Sequence, residues 1–162
     1  MIYLKEINES VVKNIPKNDQ EKKAVLDVGC GSGALAEAIR NKGYEVWGIE
    51  ANLKASLTVD KRFNRIICAH LTDIPTIKES INKKKFDYII FSDVLEHLYD
   101  PFPVLKEYLQ FLTDSSHLII SVPNVVIWTN RIKILFGFFN YASTGVMDRT
   151  HIRFLHLEQH KF

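Results

Sequence analysis

The sequence predicts an α/β domain, a doubly wound parallel sheet with helices on both of its faces. Three observations carry that prediction. Strand-like segments alternate with helical ones five times along the chain. The strand-like runs are apolar without clean alternation, as strands buried on both faces of a parallel sheet are. The first of them meets a glycine cluster, Gly29-Cys30-Gly31-Ser32-Gly33, that opens onto a helical stretch. Right-handed crossovers then give three layers, and such sheets bind ligands at the carboxyl ends of their strands.

The elements follow in order. Ile7, Val11 and Ile15 recur at helical spacing, and Pro16 with Lys17-Asn18-Asp19 stops that helix. Residues 24–28 are a short apolar run before the glycines, hence a buried strand. Residues 34–42 are good helix formers, with Gly43 placed to end them. Residues 45–49 read as the second strand, 53–59 as a helix and 65–68 as the third strand. Residues 74–81 read as a helix that tolerates Pro75 in its first turn. FDYIIF at 86–91 is the fourth strand, and 101–112 is a helix with Pro101 near its start. HLIISV at 117–122 is the fifth strand, stopped by Pro123.

A chain of 162 residues supplies one domain with one sizeable core. Its 46% hydrophobic and 25% charged residues argue against disorder. The net charge of +2 leaves no footprint for a polyanion, so no nucleic-acid partner is expected. Cys30 and Cys68 form neither a disulfide framework nor a zinc spacing, and the N-terminus lacks a signal-peptide pattern. A reducing, cytoplasmic setting is the expectation. The most apolar stretch, residues 125–141, is interrupted by Asn130, Arg131 and Lys133 and is too short to span a bilayer.

The glycine loop is where chemistry enters. Glycines at a tight strand-to-helix turn can serve packing alone, yet three at alternate positions exceed that need. A turn of this kind brings backbone N–H groups close to a ligand. Glu50 ends the second strand, where a carboxylate can accept from both ribose hydroxyls of an adenosine. Dinucleotide enzymes use GxGxxG. Here the spacing is GxGxG, with Asp27 two residues ahead of Gly29. A carboxylate there is unhelpful to a pyrophosphate and suits the sulfonium and ammonium groups of S-adenosylmethionine.

VLDVGCGSGALA resembles motif I of the class I S-adenosylmethionine-dependent methyltransferases, whose fold is Rossmann-like. VWGIEAN resembles their acidic second motif, FDYIIFSDVLEHLYDP the fourth-strand motif and HLIISVPNV the fifth strand. Pro123-Asn124, Trp128 and Arg131, followed by Asp148-Arg149-Thr150-His151-Ile152-Arg153-Phe154, resemble a bacterial and archaeal subgroup. That subgroup is similar to the MetW-like and ubiquinone O-methyltransferase families. The resemblance covers residues 20–155; it is specific for the cofactor and weak for the acceptor.

The resemblance implies S-adenosylmethionine as cofactor, S-adenosylhomocysteine as product and the strand order 3-2-1-4-5. Asp27, Gly29, Cys30, Gly31 and Gly33 would line the methionine and ribose part, Glu50 would hold the ribose, and Ala51 and Asn52 would lie near adenine. The family commonly has an acid after the third strand, where this chain has His70 with Asp73 three residues later. Either the loop brings Asp73 in, or the backbone at Leu71 holds adenine, or His70 is a plain surface residue.

In-line methyl transfer needs alignment of nucleophile, methyl and sulfur, and sometimes removal of a proton. Ser92 and Asp93 end the fourth strand, where the methyl is expected. Asp93 would touch the acceptor or the cofactor's amino group, or instead cap a helix from Val94 onward. His97, four residues on, would share a helix face with Asp93 and act as general base, or pack the loop together with Glu96. His151 is the other candidate base. Its neighbours Arg149 and Arg153 would hold a phosphate or carboxylate of the acceptor, unless the segment is a polar knot. No spacing among Asp93, His97, Asp100 and Asp148 requires a metal, and none is expected.

Residues 125–139 place Val125, Trp128, Ile132, Leu135 or Phe136, and Phe139 on one stripe. That stripe packs on the sheet, forms a lid over the acceptor, or lies on a membrane surface. The expected organisation is a single methyltransferase domain: a helix in residues 1–20, a cofactor core at 24–122 and an acceptor-side segment at 123–162. Residues 155–161 would begin the helix that precedes a final two-strand hairpin in this fold, so that hairpin is expected to be missing. The fifth strand would then be an edge, left by truncation or covered in a homodimer. The function expected is O-methylation of a small-molecule, saccharide or lipid-linked acceptor. An NAD-dependent oxidoreductase and a catalytically silent cofactor-binding partner are the rivals.

Overall fold

A computed structural model describes residues 7–19, 23–138, 141 and 145–152. Its strands are β1 (Ala24–Val28), β2 (Glu45–Glu50), β3 (Arg65–Cys68), β4 (Phe86–Ser92) and β5 (Leu112–Ser121). Its helices are α1 (Glu9–Lys13), α2 (Ala34–Arg40), α3 (Leu53–Val59), α4 (Ile74–Ile81), α5 (Pro101–Tyr108) and α6 (Trp128–Leu135). All five strands are parallel in the order β3-β2-β1-β4-β5. The order reverses between β1 and β4, and Val28 pairs with Ile49 on one side and Phe91 on the other. The carboxyl ends of β1, β2 and β4 therefore open a crevice at the topological switch point.

Every residue of β1 is buried, which explains an apolar run with no alternation. Leu26, Val28, Ile89 and Phe91 pack one sheet face against Ile77 and Ile81 of α4 and Leu105 and Tyr108 of α5. Val25, Val46 and Ile90 pack the other face with Val11, Ile15, Leu35 and Ile39. Each fully buried side chain of this kind stabilises the fold by about 1.5–3 kcal/mol. The three-layer arrangement is thus fixed by which alternate strand residues meet which helices.

Several bounds differ from the sequence reading, each for a local reason. Helix α1 is one short turn, because Asn8 caps it by accepting from the Val11 N–H at 3.3 Å and so leaves Ile7 outside. Helix α5 ends at Tyr108 and tightens into a 3₁₀ turn, Leu109–Phe111. Strand β5 starts five residues early. Leu112 already pairs with Phe86, and the irregularity that follows is closed by Ser116, whose hydroxyl donates to the Phe86 carbonyl at 2.8 Å and accepts from the Thr113 N–H at 2.6 Å. Among the described residues β5 is an edge of the sheet.

Of the three alternatives for the apolar stripe of helix α6, packing on the sheet is the one its exposure opposes. The buried residue is Asn130, while Trp128, Leu135 and Phe136 are 72%, 79% and 70% exposed. The cause is polar: Asn130 Nδ2 donates to the Val125 carbonyl at 3.0 Å and Arg131 Nε to the Val126 carbonyl at 2.7 Å. These bonds turn the polar side toward the preceding loop. Phe139 and the helix expected at 155–161 lie outside the described residues. Among the described residues, no helix is long and apolar enough to cross a membrane.

Candidate functional site

The loop after β1 is tied down by its own backbone. The N–H groups of Gly29 and Cys30 both donate to the Ile49 carbonyl, at 2.9 and 3.1 Å. Gly29 and Gly31 have φ of +72° and +51°, which glycine adopts without strain. They differ in surroundings. A Cβ on Gly29 would meet Val94 Cγ2 at 2.7 Å, whereas on Gly31 it would find only the Gly29 carbonyl oxygen at 4.0 Å. Gly29 is required for packing, and Gly31 leaves space in front of the loop. Gly33 closes the loop as the residue that caps α2.

Glu50 stands opposite, at the end of β2. Its Oε2 accepts from the Gly31 N–H at 2.9 Å and its Oε1 from the Asn52 N–H at 2.8 Å. A carboxylate has about four acceptor positions, so room remains for two hydroxyl donors. Asp27, 2% exposed, lines the adjoining cleft with Gly29, Cys30, Ser32 and Ser92. The cleft holds about 360 Å³ of empty, solvent-open space, and Ile7, Asn8, Ala34 and Leu35 complete its wall. The Cys30 side chain turns into the core beside Val25 and Phe63. Burial, then the Asp27 and Glu50 carboxylates, push its thiol pKa far up, so it is no nucleophile.

Where the resemblance would put adenine, Ala51 and Asn52 are exposed, and Asn52 Oδ1 caps α3 by accepting from the Ala55 N–H at 3.1 Å. Asp73 is engaged elsewhere: its carboxylate accepts from the Thr76 N–H at 3.3 Å as the N-cap of α4. The Leu71 carbonyl accepts the Tyr108 hydroxyl at 2.9 Å. His70 is exposed, with Nδ1 2.7 Å from the Thr72 hydroxyl. Of the alternatives, the shift that would bring Asp73 in is the one the helix cap opposes.

Asp93 corrects the sequence reading. It has φ of +52°, and the helical turn that follows is a 3₁₀ segment, Leu95–His97, capped by Val94 without a side-chain bond. Asp93 is therefore no N-cap, and it shares no helix face with His97, because a left-handed residue interrupts the helical path between them. Its carboxylate is instead held from β5: Ser121 Oγ donates to Asp93 Oδ1 at 3.0 Å, and Asn8 Nδ2 donates to Ser121 Oγ at 2.9 Å. Asn8 also reaches Ser92 Oγ at 3.4 Å. A non-glycine residue in that backbone region, fixed from two elements, is the kind of strain that collects at working sites.

His97 and His151 come together. Their rings lie 5.0 Å apart at 64°. His97 Nδ1 is 3.1 Å from the Thr150 carbonyl oxygen, and His151 Nδ1 is 3.1 Å from that of Val146. The segments are joined by the Ile152 N–H, which donates to the Glu96 carbonyl at 3.0 Å. Asp148 shapes the turn by accepting the Thr150 N–H and hydroxyl at 2.8 and 2.7 Å, and these bonds hold its carboxyl below the usual range. Glu96 lies beneath, 1% exposed, with Oε1 3.8 Å from His151 Nε2. Burial pushes its carboxyl pKa up; its own main-chain N–H and the two histidines offset only part of that. Arg149 is exposed, and Arg153 lies outside the described residues.

Two contributors were not foreseen, Asn8 and Ser121, and Glu96 was foreseen only as packing the loop with His97. Asn8 carries a helix-cap signal and nothing more. Glu96, a carboxylate set between buried Leu95 and Leu98, is the one whose apolar neighbours signal burial.

A parallel sheet in this order, with a glycine loop after the first strand answered by an acid at the end of the second, defines the class I S-adenosylmethionine-dependent methyltransferases. The family model described as a methyltransferase domain matches residues 3–160, and the chain belongs to that family. It is 31% identical over 105 residues to the ubiquinone biosynthesis O-methyltransferase of Vibrio cholerae, covering 63% of this chain and 42% of that protein. The Rickettsia typhi protein of the same name is 32% identical over 110 residues, covering 66% and 44%. The chain thus spans less than half the length of these relatives. A crystal structure of a SAM dependent methyltransferase from Archaeoglobus fulgidus superposes with a TM-score of 0.66 at 25% identity, over 93% of this chain and 64% of that one. The plantazolicin methyltransferase BpumL, solved in complex with SAH, shares the fold with a TM-score of 0.57 at 22% identity, over 79% and 46%.

Proposed function

We propose that the chain transfers a methyl group from S-adenosylmethionine to an oxygen of a small-molecule, saccharide or lipid-linked acceptor. The observation that carries the reading is the Gly31–Glu50–Asn52 arrangement beside buried Asp27. Two carboxylates and two free-facing hydroxyl-acceptor positions suit a ribose and a cationic methionine end, and repel a pyrophosphate. The O-methyltransferase relatives supply the choice of oxygen as acceptor atom. When bound, the cofactor supplies an electrophilic methyl on a sulfonium, which leaves as neutral S-adenosylhomocysteine.

The chain's own residues do the rest. Glu50 holds the ribose, Asp27 faces the ammonium group, and Asp93 is oriented toward the methyl by Ser121 and Asn8. A neutral imidazole that gives its Nδ1 hydrogen to a carbonyl presents a basic Nε2. His97 and His151 both meet that description, and either takes the acceptor hydroxyl's proton as the oxygen attacks. The two thiols are free, in keeping with a cytoplasmic setting. The exposed apolar face of α6, flanked by Arg131 and Lys133 with no acidic residue between 115 and 147, favours an acceptor presented at a lipid surface.

Calorimetry with S-adenosylmethionine, S-adenosylhomocysteine and NAD tests the cofactor. Binding of the first two and not the third is expected; NAD binding alone would overturn the reading. Radiolabelled methyl transfer to hydroxylated acceptors, with and without a lipid tail, tests the reaction.

A further inference from the structure

We propose that Glu96, His97 and His151 form a binding site for one divalent transition-metal cation on the acceptor side of the crevice. The site is assembled from a 3₁₀ turn after β4 and the turn at 145–151. One candidate ligand atom from each residue lies within 4.8 Å of the others.

Glu96 makes the strongest case. Its carboxylate is 1% exposed and neither oxygen accepts a hydrogen bond of normal geometry. A buried acceptor in that condition is rare, because desolvation goes uncompensated. The nearest cationic candidate, His151 Nε2, stands at 3.8 Å, beyond hydrogen-bond reach. A cation placed between the two rings and the carboxylate would satisfy both.

The histidines are already in the tautomer a metal takes. Each Nδ1 faces a main-chain carbonyl, Thr150 for His97 and Val146 for His151, both at 3.1 Å. A carbonyl oxygen only accepts, so each Nδ1 carries the hydrogen and each Nε2 offers a lone pair. Carbonyl anchoring of the distal nitrogen is the usual support of a ligating histidine. Metal–ligand distances of about 2.0–2.2 Å place tetrahedral ligand atoms roughly 3.4 Å apart, so the three groups draw in by about an ångström. His97 is the exposed member and can turn without disturbing the core.

Two imidazoles and one carboxylate suit zinc and its first-row neighbours, whereas magnesium and calcium prefer oxygen ligands throughout. Three protein ligands leave a position open, and it lies on the solvent side with His97. The role of the ion rests on the methyl-transfer reading. With the ion bound both Nε2 lone pairs are taken, so neither histidine is then the base: an acceptor hydroxyl in the open position becomes more acidic and gives its proton to water. The resulting oxygen then forms the new C–O bond as the methyl–sulfur bond breaks and its electron pair returns to sulfur.

The test uses the untagged chain stripped with a chelator and titrated with Zn²⁺ by calorimetry, with metal content counted by mass spectrometry. One Zn²⁺ per chain with micromolar or tighter affinity is expected. Glu96→Gln and His97→Ala should each weaken it at least tenfold while affinity for S-adenosylhomocysteine stays at its native value. Co²⁺ in place of zinc should give a visible absorption band that His97→Ala removes. Absence of binding, or binding that His97→Ala leaves unchanged, overturns the site. So does Glu96→Gln that stabilises the chain without altering zinc affinity, since Glu96 would then be a neutral structural group. If zinc binds as stated and S-adenosylhomocysteine does not, the cofactor reading fails and the metal site stands.

Discussion

Alanine at Gly29 and alanine at Gly31 should have opposite consequences, although the two glycines sit two residues apart in one loop. Both occupy left-handed backbone, with φ of +72° and +51°, and an L-residue there costs about 1–2 kcal/mol. Only at Gly29 does the new methyl collide, 2.7 Å from Val94 Cγ2. Overpacking of that kind adds about 1–3 kcal/mol. Gly29→Ala should therefore lose about 2–5 kcal/mol and Gly31→Ala about 1–2. For a domain of this size each kcal/mol is about 2–4 °C in Tm. Thermal unfolding followed by circular dichroism should show Gly29→Ala lower by roughly 10 °C and Gly31→Ala by roughly half as much or less. Calorimetry with S-adenosylhomocysteine separates them in the other sense. Gly31→Ala folds but places its methyl in the space before the loop, and at least a tenfold loss of affinity is expected, about 1.4 kcal/mol. Equal losses of Tm, or native affinity in Gly31→Ala, would refute the division of the loop into a packing glycine and a ligand-facing one.

The other predictions concern separate parts of the molecule. Glu50→Gln replaces one of two acceptors with a donor against the Gly31 or Asn52 N–H, and should lower cofactor affinity at least tenfold by calorimetry, about 1–3 kcal/mol for a charged hydrogen-bonding group. Ser121→Ala removes the hydroxyl that holds Asp93 Oδ1 and leaves the main-chain bond from the Asp93 N–H to the residue 121 carbonyl, so kcat for methyl transfer should fall several-fold with cofactor affinity retained, and Ser121→Thr should restore it. Leu135→Asp should abolish co-sedimentation with vesicles containing anionic lipid; a native chain that stays in solution would remove the lipid-surface reading. Glu45 is held by Lys84 at 2.7 Å and by the Trp47 indole at 2.6 Å. Burial raises its pKa, but those two bonds outweigh it and hold the folded carboxyl below the ordinary glutamate range. The stability it contributes is present above the unfolded pKa and is lost as pH falls through the lowered folded one. Lys84→Met should thus cost about 1 kcal/mol at pH 7 and flatten the loss of stability as pH falls through the carboxylate range in denaturant titrations.

Most strands were legible because the physics that places them is local. A run such as FDYIIF, flanked by charged or turn residues, has few alternatives to the interior of a parallel sheet. The start of β5 shows where this stops. Residues 112–116 include Asp114 and two serines and carry no strand pattern; they pair only because the Ser116 side chain mends the ladder at Phe86. The glycine loop was legible as a strand-to-helix turn for the same reason as the strands: glycine spacing, Asp27 and Glu50 belong to one βαβ unit. The alternatives for Asp93 could not be separated in the sequence because helix-cap propensity and left-handed backbone both favour aspartate, and the bond from Ser121 that holds its carboxylate comes from 28 residues away.

The segment proposed to face the acceptor differs in kind. His97 and Thr150 are 53 residues apart, and the contact between their segments depends on the Ile152–Glu96 main-chain bond. No periodicity could announce it. Helix α6 makes the same point from the opposite direction: its stripe correctly said that one face is apolar, and said nothing about what that face meets. Asn130 decided that by bonding to Val125. The cofactor half is thus built from contacts near in sequence within a rigid sheet, and the acceptor half from distant segments held by single bonds. On these contacts, substitutions in the second half should leave the first undisturbed, so that acceptor choice is the more easily adjusted of the two. A chimaera that keeps residues 7–122 and exchanges the segment beyond should retain S-adenosylhomocysteine affinity while its acceptor profile changes. Loss of that affinity on exchange would show the two halves to be coupled more tightly than their contacts imply.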